Sequence, residues 1–286
     1  MRNGSLRKQS IAAALGAVLM GGGAAHAATF STPDGVLPNF VGFDWHANGA
    51  AWVRGFDLTS SSPIGATDTF TLTYQAFAGS ILNTSGPNLF VPPNPTGTYD
   101  ITTFSTLQET ATCLSANCSS ISISITGPAT WDVYLNDFSK GDPKVDPAAG
   151  TGFVSGTKIL SGVWTSENAT FFASDGANVP GSTGTGSAFL DGTVTFTNTA
   201  YIDPSLLGSN FQASLQFPGQ TNIFTRPAAF NGVATGPNTA TDFVLQTDGS
   251  QQFTAGPPPV VPEPGTLALL GLGAAGLAAQ RRRKAS

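Results

Sequence analysis

Ser120-Ile121-Ser122-Ile123-Ser124-Ile125-Thr126 alternates a branched apolar residue with a small hydroxyl residue. Successive side chains of an extended chain point to opposite faces, so every Ile falls on one side and every hydroxyl on the other. A helix would scatter the same isoleucines around its circumference. The stretch therefore reads as an antiparallel strand with one buried and one wet face. The pattern continues outward. Trp131, Val133 and Leu135 alternate with Asp132, Tyr134 and Asn136, and the same period recurs in Thr69-Phe70-Thr71-Leu72-Thr73-Tyr74, Thr193-Val194-Thr195-Phe196-Thr197 and Phe211-Gln212-Ala213-Ser214-Leu215-Gln216-Phe217. Further strands are expected over 51–58, 99–110, 158–163 and 242–247.

The composition agrees. Only 10% of the 286 residues are charged, while 34 Gly and 20 Pro punctuate a chain rich in Ser and Thr. Such a chain disfavours helix interiors and suits short strands joined by turns. Twenty Phe supply the bulk of a core. The expected fold class is all-β: a single antiparallel β-sandwich, jelly-roll-like, with long polar loops at 83–97, 140–157, 174–187 and 225–241. One short helix is expected at 203–208, where Asp203-Pro204 would open it and Gly208 would stop it.

Both ends of the chain carry targeting signals. Arg2, Arg7 and Lys8 precede an apolar run over 11–20 and then Ala25-His26-Ala27, a small-x-small cleavage site. This predicts a secretory signal helix over 1–27, cut between Ala27 and Ala28. At the other end Pro262-Glu263-Pro264 is followed by the uncharged stretch 266–279 and by Arg281-Arg282-Arg283-Lys284. As a helix that stretch would reach roughly 21 Å at ~1.5 Å per residue, short of the ~30 Å hydrocarbon core. It is a weak anchor, with the basic cluster Arg281, Arg282, Arg283 and Lys284 held on the cytoplasmic side. Residues 255–261 form a stiff proline-rich spacer. The organisation expected is thus a signal peptide 1–27, a sandwich domain 28–254, the spacer 255–261 and a sorting signal 262–286 with a short hydrophobic membrane helix.

Removing these ends sharpens the charge. The chain has 12 basic and 17 acidic residues, net −5. The two signals hold seven of the basic residues and one acid, Glu263, which leaves 5 basic against 16 acidic in the body, net −11. So acidic a body excludes nucleic acid as a partner, because phosphate backbones require Lys/Arg footprints.

The body is poor in catalytic chemistry. His46 is its one histidine, with no G-x-S-x-G to match, and its glutamates are Glu109 and Glu167. The expectation is a protein that is not an enzyme and needs no cofactor. Cys113 and Cys118, lying between two alternating segments of an exported chain, are expected to form a disulfide that staples a hairpin turn. Asp137, Asp142 and Asp146 crowd one loop and are read as turn formers; their oxygens make a candidate calcium site, although the spacing matches no EF-hand. Tyr134, on the wet side of its strand with Asp132 and Asn136, is a candidate glycan-binding group.

Two resemblances add to this reading. The order Pro-Glu-Pro, apolar segment and basic cluster resembles the PEP-CTERM sorting signal of Gram-negative bacteria. That resemblance implies processing by an exosortase after transient anchoring in the inner membrane, with the cell surface or extracellular matrix as the destination. The body resembles flocculation-associated PEP-CTERM proteins at Asp132-Val133-Tyr134-Leu135 with its Asp-bearing loop, at Lys158-Ile159-Leu160-Ser161-Gly162 and at Asp242-Phe243-Val244-Leu245-Gln246. It implies a matrix protein that promotes flocculation or biofilm formation with exopolysaccharide. The alternative is a glycan-binding module or a carbohydrate-active enzyme of the cell exterior.

Overall fold

The structure, a computed structural model, describes residues 28–84, 89–90, 97–173, 184–218 and 224–254. The signal helix, Ala27, the spacer, Pro262, Glu263, Pro264, the hydrophobic helix and the basic cluster lie outside the described residues; Ala28 opens the first strand. The strands are β1 (Ala28–Thr32), β2 (Gly35–Arg54), β3 (Thr67–Asn83), β4 (Leu89–Phe90), β5 (Tyr99–Cys113), β6 (Ser120–Asp137), β7 (Thr157–Ala173), β8 (Gly184–Thr197), β9 (Ile202–Asp203), β10 (Asn210–Phe217), β11 (Ala229–Phe230), β12 (Val233–Ala234) and β13 (Asp242–Phe253). Two 3₁₀ turns, Ala116–Cys118 and Phe138–Lys140, are the only helical features among the described residues.

The all-β class holds, but the sandwich does not. Strands β2, β3, β5, β6, β7, β8, β10 and β13 each pair antiparallel with the next, and β13 returns to pair with β2. The result is one up-and-down barrel of eight strands. Alternation is the same for a barrel wall as for a sandwich layer, so the period could not separate them. Several features let the sheet close instead of splitting in two. The barrel strands are mostly long, up to the 20 residues of β2. Register shifts bend them at Trp45/Ala50, Ile123/Thr130, Trp164/Ser166 and Thr247/Gly249. The two alternating segments around 120–126 and 131–136 are accordingly one strand, β6, with such a shift between them.

The expected helix at 203–208 is absent. Ile202–Asp203 pairs with Thr29–Phe30, which holds the intended cap residue extended. The segment that follows turns instead, with the Leu206 N–H donating to Thr197 Oγ1.

The odd-numbered side chains of β5 and β6 point inward, together with Phe43, Trp45, Phe70, Leu72 and Tyr74 of β2 and β3. At one end the β1–β2 hairpin folds over the opening and sets Phe30 against Phe40 and Phe43, at 5.2 and 5.9 Å between ring centroids. Trp131, Trp164, Phe211 and Phe253 interlock nearby. The large indole of Trp131 fits because Gly162 lies beneath it: a Cβ there would sit 2.4 Å from the indole nitrogen. Both ends of the barrel chain, Ala28 and Phe253, lie at this filled end. The other end is lined by Phe56, Phe70, Phe171, Phe217 and Phe243 and stays open as an apolar recess.

Cys113 and Cys118 form the expected disulfide in the β5–β6 turn beside this recess, with Cα atoms 4.9 Å apart. Both are buried. Replacing the pair by serine is expected to lower stability by about 2 kcal/mol, since the loop closed is short; denaturant unfolding of the oxidised protein and the double variant checks this.

Two of the expected surface loops are docked on the outer wall. Thr102 Oγ1 donates to Phe153 O at 2.8 Å, and the Val145 N–H to Asp100 Oδ2 at 2.9 Å. The second loop packs Phe230 on Trp52 and is joined to the first where the Ala228 N–H donates to Ala148 O. Their approach needs Gly150, which has φ +71° and whose Cβ would fall 1.7 Å from Ala229 O.

Candidate functional site

The docked loops decide the fate of the glycan candidate. Asn136 is 0% exposed, and its amide donates to Gly152 O at 2.8 Å beneath the first loop. It offers nothing to a ligand, which corrects its expected place on a wet face. Tyr134 and Asp132 do share a face and remain half-buried, but they are tied to one another. The Tyr134 hydroxyl donates to Asp132 Oδ2 at 3.2 Å, and Lys158 Nζ lies 3.0 Å from the same oxygen. Burial, with the Asp132 charge beside it, pushes the Tyr134 phenol above its ordinary pKa. Alternation placed Tyr134 correctly; the return of loop 141–156 over the strand end carries no local sequence signal.

The three loop aspartates are occupied separately. Asp137 Oδ1 accepts from the Ser139 N–H, and Oδ2 pairs with Lys140 at 3.0 Å. The Ser139 hydrogen bonds, then Lys140, hold its carboxyl below the usual range. Asp142 Oδ2 accepts the Asp137 N–H, while Asp146 Oδ1 accepts from Ala148 and Ala149. Among the described residues no group of three or more His, Cys, Asp or Glu converges as a metal site.

Elsewhere on the outer wall, Ser166, Asn168, Phe189, Asp191, Gln212 and Gln252 of β7, β8, β10 and β13 are exposed. The ladders place Ser166, Asp191, Gln212 and Gln252 in one row across the four strands, and Asn168, Phe189, Ser214 and Ser250 in the next. Asp191 anchors the first row, accepting from Gln212 Nε2 at 2.9 Å and from Ser166 Oγ at 3.0 Å. Phe189 is 63% exposed and stands clear of the surface. Two adjoining depressions of about 560 and 690 Å³, counting the solvent above them, meet at Asp191 and Gln212. An open aromatic face beside carboxylate, amide and hydroxyl groups is suited to a sugar: the ring stacks on its C–H face and the polar row bonds its hydroxyls. Sequence reasoning missed this surface. Its one signal was Phe189 itself, opposite in parity to the inward Leu190.

Inside the barrel lies a second group that alternation could have flagged. Glu109 shares the inward parity of Leu107 and Ala111 and is 1% exposed. Glu167 faces inward from β7, opposite Leu190. Burial, and then the charge of Glu167, raises the Glu109 carboxyl well above its ordinary range. Burial pushes Glu167 up to about 7.

Comparison with protein families matches the PEP-CTERM protein-sorting motif over residues 260–283. The motif marks an exported chain that transits the membrane and is a substrate of an exosortase. No curated protein matches the chain, and no solved structure matches it.

Proposed function

We propose that this exported barrel works without catalysis at the cell surface or in the extracellular matrix, and promotes flocculation or biofilm formation by holding exopolysaccharide on the exposed face over β7, β8, β10 and β13. The observation that carries the reading is Phe189, an exposed aromatic ring seated beside the Ser166–Asp191–Gln212–Gln252 row. The sorting motif, which marks export, supports an exterior location, and a body of net charge −11 leaves neutral sugars as fitting partners. Each contact is weak, and many copies along one polymer add avidity. Exopolysaccharide is thus the proposed matrix partner, and exosortase the processing one.

The test is aggregation and settling of a deletion strain complemented with three genes. The intact gene is expected to restore aggregation. A gene with Pro262, Glu263 and Pro264 changed to alanine is expected to fail because the product is not delivered. A Phe189→Ala, Gln212→Ala gene is expected to deliver folded protein to the exterior and to lower its retention by purified exopolysaccharide at least tenfold. Normal aggregation of the deletion strain overturns the flocculation role. Full retention of the Phe189→Ala, Gln212→Ala protein overturns the site.

A further inference from the structure

The open end of the barrel has no part in polysaccharide binding on the outer wall, yet it is built as a site. Phe56, Phe70, Phe171, Phe217, Phe243 and Ile121 line a recess of about 620 Å³, counting the solvent at its rim. About 50 Å³ of it admits the centres of water molecules, so it is a narrow slot. Its wall is almost wholly apolar. Beneath it are the two inward glutamates. Glu109 stands directly opposite Phe70 in the β3–β5 ladder, so both side chains point to the same side and Glu109 lies at the level of a wall residue. Leu72, one layer further in, lines the recess, and its ladder partner Leu107 lines a smaller cavity below with Leu190, the partner of Glu167. The carboxyl pair thus sits at the waist between the two spaces.

Both carboxyls keep an unsatisfied oxygen. Glu109 Oε2 and Glu167 Oε2 are buried and have no hydrogen-bond partner. From β3, β6 and β8 the pair meets Phe70, Ile125 and Leu190, so no cation from these strands offsets it. Buried acceptors and buried charge are costly unless paired. Two such acids beneath a greasy slot define the chemistry of what would relieve them: a cationic hydrogen-bond donor on an apolar body thin enough to enter.

We propose that this end of the barrel binds one slender alkylammonium, its chain in the phenylalanine recess and its ammonium donating to the free oxygens of Glu109 and Glu167. A primary ammonium has three donors and can serve both carboxyls at once. A carboxylate of the same length would be repelled, and an alcohol would gain the apolar contact alone.

The exported protein is titrated calorimetrically at pH 8 with octylammonium, octanol and octanoate. The alkylammonium is charged there, its pKa being close to the ~10.4 of lysine. Octylammonium is expected to bind once per chain, at least tenfold tighter than octanol, and octanoate not at all. At pH 5, where Glu167 holds its proton, octylammonium is expected to weaken toward octanol. Glu109→Gln, Glu167→Gln is expected to remove the tenfold preference and to leave octanol binding unchanged, which also shows that the slot is intact. Equal affinity for octanol and octylammonium, an unaltered preference in the double variant, or no binding of any of the three overturns the proposal. Exopolysaccharide retention reports on the outer-wall site of Phe189 and Gln212 and is expected to survive the glutamate changes, so the two sites fail independently.

Discussion

Trp131→Ala is expected to destabilise the barrel by about 3–5 kcal/mol, the range for deleting a large buried aromatic. Marginal domains hold only ~5–15 kcal/mol in all, so the variant should unfold at far lower denaturant and accumulate poorly. The reason is local. Trp131 is 1% exposed, packs its ring 4.6 Å from Phe211 and 6.2 Å from Trp164, and fills the space that Gly162 leaves open. Alanine would leave a void between four strands whose curvature prevents collapse. Trp131→Phe keeps most of that volume and removes an indole N–H that has no acceptor, so it should cost less than half as much. Guanidinium unfolding of the three proteins gives the order; a Trp131→Ala protein as stable as the parent would refute the packing described for this end.

The second large effect concerns pH. Glu109→Gln, Glu167→Gln is expected to be at least about 3 kcal/mol more stable than the parent at pH 8, the Glu167 share alone, and equal to it near pH 4. The sign follows from proton linkage. Both carboxyls have folded pKa values above their unfolded ones, Glu167 moving from 4.5 to about 7. Between those limits the folded chain binds more protons than the unfolded chain, so stability falls as pH rises through the window. Each tenfold gain in proton affinity corresponds to about 1.4 kcal/mol, which gives the figure for Glu167. The amide variant lacks these two groups and keeps the other titrating ones, among them Asp44, Asp100 and His46, so the difference between the two profiles isolates the glutamates. Thermal unfolding at intervals from pH 4 to 8 measures both curves, and a difference between them that does not grow over that interval would place the glutamates in water.

How far the fold could be read from the chain alone depended on whether the determining contact was local. Ser120 to Thr126 and Trp131 to Leu135 announce strand and facing, because a side chain's direction depends only on its own parity. The same rule applied to Glu109 points it into the barrel, although a carboxylate there looks at first like a break in the pattern. Closure was not legible. It rests on β13 meeting β2, a pairing of Asp242 with Arg54 and of Gln252 with Gly42 across most of the chain, and no period of two encodes it. Asp203 failed as a helix cap for a similar reason: its partner Thr29 is 174 residues away. Asn136 was misplaced because what covers it, Gly152, arrives from a loop whose composition suggested exposure.

The sorting motif and the barrel also differ in how they were reached. Pro262-Glu263-Pro264 with its basic cluster is a linear address, and sequence suffices for it. Phe189 and its polar row are assembled from four strands and exist only once those strands are paired in register.

The rolled sheet has a consequence for the matrix role proposed above. All eight barrel strands have both backbone edges engaged with neighbours, so they give a second copy no ladder to extend. Aggregates held through such molecules would not grow by templated β-stacking and would not acquire the near-permanence of cross-β fibres. They would behave as a reversible gel, dispersing under dilution or an excess of competing sugar and reforming when either is withdrawn.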